Sequence, residues 1–338
     1  MTKSAIQLAK ERLQKKFKNS SIGTMGEGAI SDVDTGISTG LPVIDNFLIG
    51  CGGLPVKRVV EIYGHESSCK TSFVLQCIAA AQRAGYNTAL FETEDCLETK
   101  RAHVFGLDSD EVLLAQPDYL EEFFAQVEET LKCFAENSTP SLIALDSIAA
   151  TPTAAEVKEG LGGSAGMAEK ARILSKYMPQ ITSLVKKSNS CLLLVNQTRQ
   201  EVGKMFGNPT TTPGGAAVKF ASSLRIQMYG GSAIKKGDDK IGQRVLFVNT
   251  KNKVGMPWRK AEVEFYYDTG WDNTYSVIAL AKKLKLVTKG TRKSKGSAEE
   301  ALELLKNSEW GKIKGTIKDE DEDTGIDLDE FEESENEE

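Results

Sequence analysis

From about residue 33 to 270 the chain alternates short apolar runs with stretches of helical period. RVVEIYG (58–64) is nearly continuous in apolar residues, the pattern of a strand covered on both faces. KTSFVLQCIAAAQRAG (70–85) carries the period of a helix, closed by Gly85. NTALFETE (87–94) predicts the next strand, DYLEEFFAQVEETLKCFAEN (118–137) a helix and PSLIALDS (140–147) another strand. MAEKARILSKYMPQITSLVKK (167–187) predicts a helix that Pro179 is expected to kink or break. SCLLLVNQT (190–198) reads as a strand, and VKFASSLRIQMYGG (218–231) and QRVLFVNTKNKV (243–254) as later strands. Alternating helices and apolar strands predict an α/β fold with a mostly parallel, doubly wound sheet.

The flanks differ from this middle. Residues 4–17 form a short amphipathic pattern, with Ile6, Ala9, Leu13 and Phe17 at helical spacing. A glycine- and serine-rich stretch follows, so the helix is expected on a tether, either folded back or docked on a neighbouring copy. After Trp271 the sequence predicts a short helix and strand in SVIALAKKLKLV (276–287) and a basic segment, TKGTRKSKGS. A last helix is expected from Ser297, which forms a capping-box pattern with Glu300. The expected organisation is an N-terminal element (1–33), a core (34–270), a small basic region (271–318) and an acidic tail (319–338).

Charge sharpens that division. The 338 residues carry a net charge of −6, but residues 319–338 hold 13 acidic and no basic side chains. The rest has 42 basic against 35 acidic residues. A basic body with an acidic tail suits a nucleic-acid partner and a tethered competitor for it, and composition alone fits a solubilising tail as well. No apolar run reaches membrane-spanning length, and the N-terminus lacks a secretory pattern, so a cytosolic protein is expected. The six cysteines form no C-x-x-C pair and accompany no histidine cluster, which argues against zinc and against a disulfide framework.

The stretch GHESSCKTS (64–72) joins the first strong strand to the first strong helix. Its spacing is that of a phosphate-binding P-loop, G-x-x-x-x-G-K-[ST], with Cys69 in place of the second glycine. In such a loop backbone N–H groups wrap the phosphates of a nucleotide. Lys70 is placed to reach the β- and γ-phosphates of ATP, and the Thr71 hydroxyl to hold Mg²⁺. Cys69 adds a Cβ that is unfavourable if this position needs a positive φ. Cysteine is small, so a tuned site is expected rather than a dead one.

Two further strands end in carboxylates. LIALDS presents Asp146 after an aliphatic run, as a Walker-B residue is presented to hold Mg²⁺. LFETED offers Glu92 and Glu94, either of which suits polarising an attacking water. Period-2 alternation puts both on one face, so spacing leaves the choice open.

Two segments lack period. TRQEVGKMFGNPTTTP (198–213) is long for a connection inside a compact domain. Arg199 and Lys204 suit phosphates, and Met205 and Phe206 suit stacking on bases. EGLGGSAGMA (159–168) is rich in glycine, with Gly160, Gly162, Gly163 and Gly166. Composition alone fits DNA-binding loops and active-site lids equally.

Taken in order, ISTGLPVIDNFLIGCGGLPVKRVVEIYGHESSCKT, LLAQPD, LIALDSIAA, LLLVNQTRQEVGKMFGNPTTTPGG and KNKVGMPW resemble the RecA family of DNA recombinases. The resemblance spans about residues 5–285. It implies a RecA-like P-loop ATPase core, with Gly64, His65, Glu66, Ser67, Ser68, Cys69, Lys70, Thr71 and Ser72 around the nucleotide. Glu94 then matches the catalytic carboxylate, Asp146 the Walker-B residue, and Gln197 the glutamine that senses the γ-phosphate. Lys251 and Lys253 match basic residues that reach a neighbour's ATP. The glycine-rich loop with Met167, and the second loop with Gly207 and Asn208 up to Gly214 and Gly215, match the two loops that grip single-stranded DNA. Arg172, Lys219 and Arg225 match neighbouring positions. The N-terminal helix resembles the family's polymerisation element, which favours docking on a neighbour.

Some positions depart from the pattern. Besides Cys69, Arg101 falls where bacterial members carry a tyrosine against the adenine, and Pro179 where an arginine commonly faces DNA. The basic C-terminal segment is divergent. These departures point to a phage-encoded member, as in the RecA/UvsX type, or an otherwise divergent one. The expected function is ATP-dependent filament formation on single-stranded DNA, then homologous pairing and strand exchange with duplex DNA. Single-strand-binding and loader proteins are candidate partners. A ring-shaped helicase-type motor and a DNA-binding filament with little hydrolysis are the alternatives.

Overall fold

The structure is a computed structural model and describes residues 4–18, 22–24, 36–94, 99–136, 139–159, 167–200, 210–288 and 294–308. Two compact units divide the chain after Asp34. In the first, helix α1 (Ala5–Lys16) starts at Ser4, whose hydroxyl accepts a hydrogen bond from the Gln7 N–H at 3.2 Å. Lys15 and Lys16 lie in its last turn, where cations complement the helix dipole. None of its residues is buried.

The second unit opens with an antiparallel ribbon, β1 (Gly36–Ile37) on β2 (Leu54–Pro55), around a π-helical turn, Val43–Ile49. Buried Asp45 in that turn accepts hydrogen bonds from Ser38 Oγ, Thr39 N and Thr39 Oγ1. The main elements follow. They are β3 (Arg58–Gly64), α2 (Lys70–Arg83), β4 (Asn87–Glu92), α3 (Thr99–Val104), β5 (Val112–Ala115), α4 (Leu120–Glu136) and β6 (Ser141–Asp146). Then come α5 (Ala154–Glu159), α6 (Met167–Lys187), β7 (Ser190–Gln197), the short pair β8 (Arg199–Gln200) and β9 (Thr210–Thr211), and α7 (Gly215–Ala221). Long strands β10 (Leu224–Lys236) and β11 (Asp239–Asn252) precede β12 (Lys260–Tyr266), β13 (Gly270–Asp272), α8 (Asn273–Lys283) and α9 (Lys295–Asn307).

Nine strands form one sheet in the order β13-β12-β11-β10-β3-β7-β6-β4-β5. From β10 to β5 neighbours are parallel; β11, β12 and β13 extend it antiparallel. The mostly parallel α/β sheet is therefore as expected. β7 shows why its strands read as continuous apolar runs. Cys191, Leu193 and Val195 pack in a core with α2, while Leu192 and Leu194 pack in a second core with α4 and α6. Phe73 and Phe247 (ring centroids 5.0 Å apart) belong to the first face, Phe91 and Phe123 (5.3 Å) to the second. A fully buried side chain of this size contributes about 1.5–3 kcal/mol.

Several elements differ from expectation. α6 runs through Pro179 as one helix of 21 residues, without the expected break. Met178 and Ile181 on either side are buried against the sheet and α4, and this packing outweighs the missing backbone bond. The predicted strand at 218–231 begins as helix α7 and becomes strand only at Leu224. Among the described residues no strand follows α8. α9 is capped by Ser294, not Ser297: the Ser294 hydroxyl accepts from the Ser297 N–H at 3.2 Å. β5, β12, α3 and α5 were not legible in the pattern.

Trp271 lies in the first core, against Phe265 at 4.9 Å between centroids, and its indole N–H donates to Ser72 O at 3.2 Å. α8 packs on β12, and α9 on α8.

Candidate functional site

Strands β3, β4, β6 and β7 are parallel neighbours, so their carboxyl ends deliver side chains to one edge of the sheet. β3 ends at Gly64, where a Cβ would lie 2.2 Å from Met228 O and 2.8 Å from Ser68 Oγ. Only glycine lets the turn leave the strand so close to β10. The loop 65–69 then wraps into α2. His65 O accepts from Ser68 Oγ at 2.8 Å, and also from the Lys70 ammonium. Ser68, Lys70 and Ser72 are buried, while Glu66 and Ser67 are exposed.

Cys69 has φ 62 and ψ 27, the left-handed conformation that a glycine adopts freely. The expected strain is thus present, and Ser67 shares it with φ 59. Cys69 turns its sulfur toward Gln243 of β11. Burial pushes its thiol up to about 11, against the opposing hydrogen bond from Gln243.

Asp146 at the end of β6 is buried and accepts a hydrogen bond from the Thr71 side chain. Burial first, and then the nearby Glu94, raise its carboxyl to about 6. Burial also lowers the Lys70 ammonium, which Asp146 and Glu94 partly restore. A hydroxyl beside a buried carboxylate, both hard oxygen donors, fits a Mg²⁺ ion that takes its remaining ligands from phosphates and water.

Glu92 and Glu94 part company in the structure. Glu92, the last residue of β4, is buried; its carboxylate accepts from the Glu94 N–H at 2.8 Å and from Gln116 Nε2 at 3.2 Å. It braces the turn. Glu94 lies beyond the strand, half-buried, and its Oε1 accepts from Ser147 Oγ at 2.6 Å and from Gln197 Nε2 at 3.3 Å. Lys70, Asp146, Glu94 and Gln197 are therefore gathered at one edge. Ser147 was missed, although it directly follows Asp146.

Arg101 on α3 donates to Ser72 Oγ at 3.2 Å, which places its guanidinium at the start of α2. Lys251, at the end of β11, donates to the Lys219 and Phe220 carbonyls and so caps the C-terminus of α7. Lys253 is exposed.

The ends of the 198–213 connection pair as β8 and β9, with Arg199 opposite Thr211. Gly214 and Gly215 both have positive φ, 92 and 66, and a Cβ on Gly214 would meet Leu174 Cδ1 at 2.4 Å. Gly160, Gly162, Gly163, Gly166, Lys204, Met205, Phe206, Gly207 and Asn208 lie outside the described residues. Met167 begins α6. Arg172 makes a two-pronged ion pair with Glu169, at 2.9 and 2.6 Å, on an exposed face. Arg225 is no surface charge. Its guanidinium pairs with fully buried Glu61 at 2.5 Å and lies 4.4 Å over the Tyr63 ring. Glu61 also accepts from Asn196 Nδ2 at 3.1 Å, and the same amide donates to Pro213 O at 3.0 Å. A buried chain thus ties β10, β3 and β7 to the exit of the 198–213 connection. Its signal in the sequence was a charge inside an apolar strand, the Glu61 of RVVEIYG.

The RecA N-terminal domain family matches residues 4–272. Over 316 residues, 91% of this chain and 90% of the other, it is 37% identical to Protein RecA of Colwellia psychrerythraea.

Proposed function

The chain belongs to the RecA family, and from that premise we propose how its own residues carry out the family's work. It is an ATP-dependent recombination and repair protein and a DNA-dependent ATPase. In our reading ATP lies along the loop 64–72, with backbone N–H groups and the Lys70 ammonium on its phosphates. Thr71 and Asp146 hold Mg²⁺, which offsets phosphate charge when bound. Glu94 accepts a proton from the attacking water, and Ser147 keeps that carboxylate aimed. Arg101 stands near the helix start and is a candidate to stack on the base.

The observation that carries the proposal is the contact between Gln197 and Glu94. The glutamine is the last residue of β7 and immediately precedes the 198–213 connection. A γ-phosphate competing for the Gln197 amide moves the entry of a segment that we assign, with 160–167, to single-stranded DNA. DNA binding and hydrolysis are thereby linked. Lys251 and Lys253 are assigned to a neighbour's ATP in the filament, where they offset transition-state charge as an arginine finger does. For Lys251 this requires exchanging the α7 carbonyls for phosphate. Homologous duplex is the second DNA partner, with single-strand-binding and loader proteins as accessory partners, in the cytoplasm of a bacterium, on a host or phage genome.

ATP hydrolysis with and without single-stranded DNA, wild type beside Lys70→Ala, tests this reading. DNA stimulation in the wild type and none in the variant is expected. Equal rates in the two chains would overturn it.

A further inference from the structure

The cysteine that breaks the phosphate-loop pattern has a partner far away in sequence. Gln243 lies on β11, opposite Ala233 of β10 and Phe265 of β12, and is buried. Its carboxamide nitrogen donates to Ser67 O at 2.8 Å and to Cys69 Sγ at 2.9 Å. An amide nitrogen has two hydrogens, one for each acceptor. The acceptors belong to the two loop residues in left-handed conformation, with φ 59 and 62. That conformation is unfavourable for residues with a Cβ, so it needs external support.

Next to Gln243 the β10–β11 ladder slips register between Gly230 and Ala233. A Cβ on Gly230 would stand 3.6 Å from Ser67 O and 3.7 Å from Ser68 Cα, so the loop rests on this corner of the sheet. The antiparallel extension therefore forms the floor of the phosphate loop.

We propose that Gln243 is a positioning residue of the nucleotide site, clamping Ser67 and Cys69 so that the loop is preset to receive phosphate. The inference rests on the assignment of ATP to this loop. The sulfur of Cys69 is one jaw of the clamp, which gives the non-glycine residue a structural role. An apolar residue at 243 takes the amide donor from both acceptors, leaving Ser67 O only the long contact from the Cys69 thiol at 3.9 Å, and frees the loop to relax toward ordinary φ values. Preorganisation is then lost at the step that binds nucleotide.

The test is Gln243→Met, which keeps length and removes both donors. Its readouts are the Kd for a fluorescent ATP analogue and the DNA-stimulated ATPase. Weaker binding by about 10-fold is expected, with the loss in KM rather than in kcat. In a Cys69→Gly background the same change is expected to weaken binding only about 3-fold, because glycine holds a positive φ unaided. Equal losses in both backgrounds would overturn the clamp, as would unchanged KM with lowered kcat. Should Gln243→Met not fold, Cys69→Ala serves instead. It removes the sulfur jaw but keeps the Cβ, and is expected to bind more weakly than both wild type and Cys69→Gly. Binding as tight as wild type would sink the idea. A Lys70→Ala chain that still bound the analogue normally would overturn the nucleotide assignment itself, whatever Gln243 does.

Discussion

The carboxamide nitrogen of Gln197 lies 3.3 Å from Oε1 of Glu94, although 103 residues separate them in sequence. One ends β7, and the other follows β4. Since β6 lies between these strands, the contact spans the mouth of the site over Asp146. Ser147 holds the same carboxylate oxygen at 2.6 Å. Glu94 is thus held by one group that stays with the site and one that leads into the connection after β7.

Gln197→Ala is expected to bind ATP with less than about 3-fold change and to lose DNA stimulation of hydrolysis. Steady-state ATPase against single-stranded DNA concentration checks it. Full stimulation in the variant would remove Gln197 from the link.

Asp146 makes stability depend on pH. Its carboxyl is raised to about 6 in the folded chain, from the ordinary 3.8, mainly by burial. The folded state therefore binds the proton more tightly. The resulting stabilisation is full below about pH 4 and is lost as pH rises through about 6. Asp146→Asn is expected to raise nucleotide-free stability by about 2 kcal/mol at pH 8, with the advantage vanishing near pH 4. Denaturant melts at the two pH values measure this. Mg²⁺-dependent hydrolysis falls in the same variant.

Arg225 and Arg172 are predicted to behave oppositely. Arg225→Ala strands the buried Glu61 carboxylate and is expected to destabilise the chain by about 3–5 kcal/mol. Arg172→Ala removes an exposed pair and is expected to change stability by less than about 1 kcal/mol. If Arg172 contacts a phosphate of single-stranded DNA, its loss lowers the slope of log K against log salt by about 0.7. Chemical denaturation and a salt titration of DNA binding separate the two arginines.

Deleting residues 319–338 removes 13 acidic side chains. The truncated chain is expected to bind single-stranded DNA more tightly, most at low salt, because screening weakens the tail's competition. Fluorescence anisotropy at two salt concentrations decides it. Equal gain at both would show that the tail does not act by charge.

Much of the architecture was legible because its physics is local. Apolar runs covered on both faces marked β3, β4, β6 and β7, and Gly85 with φ 76 closed α2 where expected. Where two local signals competed, packing or spacing decided. Pro179 lost to the burial of Met178 and Ile181. The sequence pattern marked Ser297 as the cap, and the helix instead starts at Ser294, three residues earlier. The opening of 218–231 has apolar residues that suit either a strand or a helix. The packing of Val218, with Ala217 and Ala221, in the core beside α6 favours the helix α7.

By itself, the sequence determined β3, α2, β4, α4, β6, α6 and β7 in that succession, the loop 64–72 with Lys70 and Thr71, and the carboxylates Asp146, Glu92 and Glu94. Each of these is set by side chains within one element. Alternation left Glu92 and Glu94 equivalent and the family resemblance pointed to Glu94; tertiary structure shows how each carboxylate is used. Glu92 is spent on the Glu94 N–H and Gln116, so Glu94 is the one that meets Gln197. It also decided that Arg225 is an interior ion pair and that Cys69 is clamped by Gln243. Those contacts join residues 164 and 174 positions apart. No local spacing encodes them, because they exist only once β10 pairs with β3 and β11 with β10.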